Sequence, residues 1–141
     1  MVFSSGFKNR TFTNEDVVAV YRNLNNGLFS VLALSGLNKG LVVGHFSYIE
    51  LERSGKTLSK ISRAGQRRAR INNTRNVHCY ILGRVTTTEK PEQLSNKLNQ
   101  SYQITYNPFE DDHFIVKNGQ STWNSESCNY CVFTDGKCFV K

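Results

Sequence analysis

Arg63, Arg67 and Arg70 follow one another at intervals of four and three residues. At that interval the side chains of an α-helix share one face, while Arg68 lies about 100° round from Arg67. A guanidinium is permanently charged and presents a planar fork matched to phosphate oxygens, so a stripe of three is suited to a phosphate-bearing ligand. The stripe lies within a segment containing Arg53, Lys56, Lys60, Arg63, Arg67, Arg68, Arg70 and Arg75, with no Asp or Glu between Arg53 and Arg75. The bland alternative is a solvated basic face, the usual fate of a charge run. The net charge of +7 favours an anionic partner, but it speaks of solubility and steering and does not locate a site.

Two further segments could supply base recognition. Asn76 to Tyr80 contains His78 and Tyr80, and Tyr106-Asn107-Pro108-Phe109 offers two aromatic rings and a side-chain amide in a loop. Aromatic faces and amides hold unpaired bases by stacking and by edge hydrogen bonds. Tyr and Phe beside a proline more often serve the core, so this signal matters only next to the arginines. Cys128 and Cys131 form a Cys-x-x-Cys pair followed by Cys138, which invites zinc with Cys79 or a histidine as fourth ligand. A single such pair is a weak signal, and plain buried thiols are the expected outcome. No cofactor is called for. His45, His78 and His113 are scattered, and no nucleophile motif or glycine-rich phosphate loop is present. A metal-dependent centre at Asp111, Asp112 and His113 is disfavoured because neighbours on a strand face opposite ways. The reading is a binding protein, not an enzyme.

The elements that must hold these residues can be read from pattern. Val17 to Leu24 and Leu28 to Leu34 are apolar, β-branched and aromatic runs separated by Asn25-Asn26-Gly27, a hairpin signal. Asn14-Glu15-Asp16 could alternatively cap a helix through Arg22. Leu41 to Leu51 alternates as a half-buried strand and completes a three-stranded meander. Ser62 to Ile71 is a short helix with a hydroxyl residue at its start, closed by Asn72-Asn73. Asn76 to Val85 returns to a period of two, a strand beside the meander. Thr86 to Gln100 is a loop plus a short amphipathic helix carrying Leu94 and Leu98, and Tyr102 to Tyr106 is a strand ended by Asn107-Pro108. Cys131 to Val140 is a hairpin about Asp135-Gly136, a pair suited to a type I′ turn. The expectation is one α+β ligand-binding domain over residues 1–141: an antiparallel β-sheet, built from the meander and the C-terminal hairpin, with one or two short helices packed on it.

No apolar run approaches the roughly 20 residues that cross a bilayer, and Met1 to Arg10 lacks the apolar core of a signal peptide. Five blocks, in order, carry a resemblance: Val20-Tyr21-Arg22-Asn23-Leu24, Val42-Val43-Gly44-His45, Arg63-Ala64-Gly65-Gln66-Arg67-Arg68, Asn76-Val77-His78-Cys79-Tyr80 and Tyr106-Asn107-Pro108-Phe109. Together they resemble the first type of Thoeris anti-defence protein, a family of small phage-encoded proteins. The resemblance implies a sponge in the host cytoplasm that sequesters cyclic ADP-ribose isomers, in some members also cyclic oligonucleotides, without cleaving them. It further implies a homo-oligomer, with Arg63, Arg67 and Arg68 as phosphate ligands and Tyr106, Asn107 and Phe109 as base contacts. Ala69, the asparagine-rich Ile71 to Thr74 and the polar Thr86 to Gln100 depart from that pattern, which also leaves Cys128 to Lys141 unplaced. The alternative is a basic phage protein bound to nucleic acid or to a host nucleic-acid enzyme, the same stripe lying on a phosphate backbone.

Overall fold

The computed structural model of the protein describes residues 1–53, 63–76, 80–109, 112–117, 120–122 and 129–141. Two short strands, β1 (Val2–Phe3) and β2 (Phe12–Thr13), pair with each other ahead of the main body. Then come β3 (Val18–Arg22), β4 (Phe29–Ala33), β5 (Val42–Phe46), β6 (Ile49–Arg53), helix α1 (Arg63–Asn72), β7 (Ile81–Thr87) and helix α2 (Leu94–Leu98). The chain continues with β8 (Tyr102–Asn107), β9 (Asp112–Lys117), β10 (Gln120–Thr122), β11 (Tyr130–Thr134) and β12 (Lys137–Val140). Ten strands form one antiparallel sheet in the order β10-β9-β8-β12-β11-β6-β7-β3-β4-β5. The fold class is therefore α+β, as the sequence patterns predict.

The meander β3-β4-β5 forms, and the C-terminal hairpin pairs Cys131 with Val140 and Thr134 with Lys137 across Asp135 (φ 54°) and Gly136 (φ 74°). Positive φ at both central residues is the type I′ geometry that Asp-Gly favours. The helix-capping alternative for Asn14 to Asp16 is not what the chain does, since Val18 to Arg22 pairs with both β4 and β7.

The predicted single strand from Leu41 to Leu51 is instead two strands broken at Ser47–Tyr48. In the sheet, β5 and β6 are four positions apart, with β7, β3 and β4 between them. Strands lie about 4.8 Å apart, so a flat sheet would separate them by about 19 Å. Three residue steps from Phe46 to Ile49 reach about 11 Å at most. This half of the sheet must therefore curl back on itself, with Ser47 and Tyr48 as its corner. Phe29 of β4 and Phe133 of β11 are also four positions apart, and their rings meet at 5.1 Å between centroids, tilted 62°. The curl encloses Val18, Val20, Phe29, Val31, Ile49, Leu51, Ile81, Phe133 and their neighbours in one core. Bending at the corner is what places Ile49 and Leu51, both fully buried, inside it.

Of the strand predicted from Asn76 to Val85, the structure describes Ile81–Thr87, which pairs with β3 and β6; Val77, His78 and Cys79 lie outside the described residues. The β5 edge is covered by the N-terminal segment: Arg10 Nη1 donates to the Val42 carbonyl at 2.9 Å and the His45 amide donates to Ser5 Oγ at 3.2 Å. Cys131 and Cys138 are buried in the core; Cys79 and Cys128 lie outside the described residues.

Candidate functional site

Helix α1 exposes Arg63, Arg67, Arg68 and Arg70 and buries one side chain completely, Ala69. At about 100° per residue, Ala69 lies some 120° from Arg63, whereas Arg67 and Arg70 fall within about 40° of it. A small residue at the contact lets the helix approach closely while the guanidiniums stay in solvent. That alanine is thus the anchor of the helix.

The C-terminus of α1 is fixed by its backbone. Asn73 adopts a left-handed conformation (φ 49°), with its amide on the Arg70 carbonyl and the Thr74 amide on the Ala69 carbonyl. These two bonds are the Schellman pattern, and asparagine is among the few non-glycine residues that tolerate the conformation it needs. Asn73→Val should therefore cost about 1–2 kcal/mol in urea denaturation, whereas Asn73→Gly should leave stability unchanged or slightly raised. Ser62, read as the N-terminal cap, lies outside the described residues.

Beyond the cap the chain is tied to the far end of β8. The Tyr106 amide donates to the Arg75 carbonyl at 2.7 Å, and the Pro108 carbonyl accepts from Gln66 Nε2 at 3.0 Å and from Arg70 Nε at 2.9 Å. The Phe109 amide closes a turn on Asn107 Oδ1 at 3.0 Å, which holds the Phe109 ring out in solvent, 64% exposed. The Arg70 guanidinium sits 5.8 Å from the centre of that ring, within cation–π reach. The structure thus brings together the arginine stripe and the loop that sequence reasoning singled out separately, and Gln66 is the joint between them.

Not every predicted residue joins this surface. Tyr106 is fully buried and packs in the core, so it has no face to offer a base; Asn107 and Phe109 are what the loop presents. Tyr80 packs edge-on against Tyr21 of β3 with ring centroids 4.9 Å apart, and burial together with Tyr21 raises its phenol. His78 lies outside the described residues. His45 Nδ1 and Ser30 Oγ are 2.8 Å apart, a spacing seen in nucleophile–base pairs. Ser30 is completely buried, however, and its oxygen accepts from Asn23 Nδ2 at 3.1 Å, which makes the pair part of the hairpin's internal wiring. Asp112 and His113 occupy successive positions of β9, opposite Asn107 and Tyr106.

Sequence reading missed a second polar centre. Glu50 on β6 is 3% exposed and accepts from Tyr48 Oη at 2.6 Å and from Tyr130 Oη, with Lys97 of α2 at 3.3 Å. Burial by itself pushes the Glu50 carboxyl up, yet the bonds from Tyr130, Tyr48 and Lys97 outweigh it and hold the group below its ordinary value. Both phenols are driven well above the normal tyrosine range, first by burial and then by the carboxylate they donate to. The signal was in the alternation: Tyr48 and Glu50 fall on the same side of the chain, one step either side of the core residue Ile49, and a buried acid there needs partners.

The fold and this surface define a class: a small antiparallel α+β protein that displays an exposed arginine helix joined to an aromatic loop. The family follows from sequence comparison, in which the model of the Mycobacterium phage L5 gene 82 protein family matches residues 11–141. The chain belongs to that phage protein family, whose description names a phage and a gene but no activity. No curated protein and no solved structure gives a significant match. No helix among the described residues is long and apolar enough to cross a membrane.

Proposed function

We propose that this protein binds a phosphate-bearing nucleotide on α1 and the Pro108 loop and holds it without chemical change. The observation that carries the reading is the Arg70–Phe109 contact, which sets an exposed aromatic ring beside Arg70, on the helix face that also carries the exposed Arg63 and Arg67. Phosphates take the forks and a purine takes the ring. The resemblance to the first type of Thoeris anti-defence protein narrows the ligand to a cyclic signalling nucleotide, a cyclic ADP-ribose isomer before a cyclic oligonucleotide. The role is then that of a phage sponge acting in the host cytoplasm. A sponge needs nanomolar affinity, about 12 kcal/mol, and one copy of this surface supplies only one wall. A second copy of the chain supplies the other, which makes the active form a homo-oligomer.

Openness of the arginine surface favours one competing reading, an extended polyanion laid along α1. Salt separates the two. Counterion release makes affinity for a nucleic acid fall steeply with salt, whereas a small enclosed ligand gives a shallow slope. In calorimetric titration with cyclic ADP-ribose isomers and cyclic di- and trinucleotides, tight binding with the ligand recovered intact after heat release is expected. Arg67→Ala should then weaken binding by about 10- to 100-fold, the loss of one charge-assisted contact. Absence of binding across the panel, or recovery of a cleaved product, would overturn sequestration.

A further inference from the structure

Away from α1, one end of the curled sheet forms a half-open cavity of about 320 Å³ between the β3–β4 turn, the Ser47 corner, Lys90 and the Asp135-Gly136 turn. Its most unusual occupant is Arg22, the last residue of β3. Nη1 of Arg22 donates to the Gly27 carbonyl, the guanidinium lies 5.5 Å from the centre of the Phe29 ring, and Nε is buried with no hydrogen-bond partner. Gly136 closes the other side: a Cβ built there would stand 3.0 Å from Arg22 Nη2. Arg22 is thus clamped in place, with part of its guanidinium desolvated. A cation in that state ordinarily has a carboxylate beside it. Among the described residues none lies within ion-pair distance of Arg22. Asp135, the one described carboxylate lining the cavity, stands 3.8 Å from Lys90 Nζ and accepts from Thr134 Oγ1 at 3.5 Å.

Counting charges, the lining holds two cations, Arg22 and Lys90, against one anion, Asp135, so the cavity carries one unbalanced positive charge. We propose that this cavity is an anion site for a phosphate monoester, whose phosphate meets the Arg22 guanidinium and Lys90 and accepts from the Ser47 hydroxyl. The volume lies at the small end of small-molecule sites, about 300–1,000 Å³, which leaves room for a phosphate and a small organic group. Burial lowers the Arg22 guanidinium from its ordinary value, but an arginine stays charged at any physiological pH, so an anion entering the cavity relieves a standing cost. Asp135 competes for the same space. Asp135 pairs with Lys90 at 3.8 Å, and on binding Lys90 transfers to the phosphate.

The competition gives the test its direction. The full chain is titrated with inorganic phosphate while the Arg22 Nε–H resonance is followed by NMR, with chloride at matched ionic strength as control. A saturable shift specific to phosphate is expected. Lys90→Gln should weaken it and Asp135→Asn should tighten it, each by about three- to fivefold, the size of one partly screened charge contact. Asn-Gly suits the same type I′ turn, and Lys90 is about half exposed, so both variants fold. Arg67→Ala on α1 should leave the phosphate titration unchanged, which keeps this result distinguishable from the fate of the α1 reading. A shift that does not saturate, that chloride reproduces, or that is the same in wild type, Lys90→Gln and Asp135→Asn would overturn the assignment.

Discussion

Replacing Glu50 by alanine is expected to remove about 3–5 kcal/mol of stability, a large part of what holds a domain of this size together. Tyr48, 2% exposed, would keep a hydroxyl with no acceptor, Tyr130 would lose its carboxylate, and Lys97 would no longer tie α2 to the sheet. Charge-assisted bonds are worth more than neutral ones, and a stranded buried hydroxyl costs the full price of its desolvation. Glu50→Gln keeps the shape and one acceptor, so about half that loss is expected. The same cluster sets the pH response. Because the folded carboxyl is held low, its contribution is complete above the usual carboxylate range and is lost as pH falls through the lowered value. Because the folded phenols are held high, stability also declines as pH rises past about 10, where unfolded tyrosines ionise and these two do not. Denaturant titrations from acid to alkali should show both flanks in the wild type, and Glu50→Gln should flatten the acid one. A Glu50→Ala protein that lost under 1 kcal/mol would refute this account of the cluster.

Phe133→Ala should cost about 3–5 kcal/mol, the usual range for an aromatic ring removed from a closed core. The more telling result is its coupling to Phe29. Because the two strands are four positions apart in the sheet, a flat arrangement would leave the rings independent and the double mutant additive. In the curled sheet the edge-to-face contact predicts a coupling of about 0.5–1.5 kcal/mol in a double-mutant cycle. Additivity within error would mean that the rings do not meet in solution.

What could be read from the sequence was mostly local. Asn25 to Gly27 and Asp135-Gly136 announced their hairpins because turn chemistry is decided by a few residues that tolerate positive φ. The helix from Arg63 was visible in its composition, and its end at Asn73 in an asparagine that can adopt the left-handed conformation. What escaped was everything set by distant partners. The alternation from Leu41 to Leu51 runs unbroken across Ser47 and Tyr48, because both sides of the corner bury residues in the same core, so no change of period marks the bend. Glu50 passed as one position in an alternating strand, because its partners Lys97 and Tyr130 are 47 and 80 residues further on. Tyr106 was misjudged for the same reason: a tyrosine next to Asn-Pro looks the same whether its ring faces a ligand or the core. At α1 the arginines were legible, whereas the bonds of Gln66 and Arg70 to the Pro108 carbonyl, which turn stripe and loop into one surface, were not.

The C-terminal hairpin lies in the middle of the sheet, β11 against β6 and β12 against β8. Two halves of the sheet are therefore joined only by strands that leave the ribosome after everything else in it. Until residues 130–140 emerge, β6 is an open edge of a nearly finished half-barrel, the kind of edge that recruits strands from other nascent chains. Glu50 is in that edge, with a carboxylate that no neighbouring chain is equipped to bury. The carboxylate that in the finished fold accepts from Tyr48 and Tyr130 thus serves first as a guard, keeping the gap open for the strand that carries Tyr130.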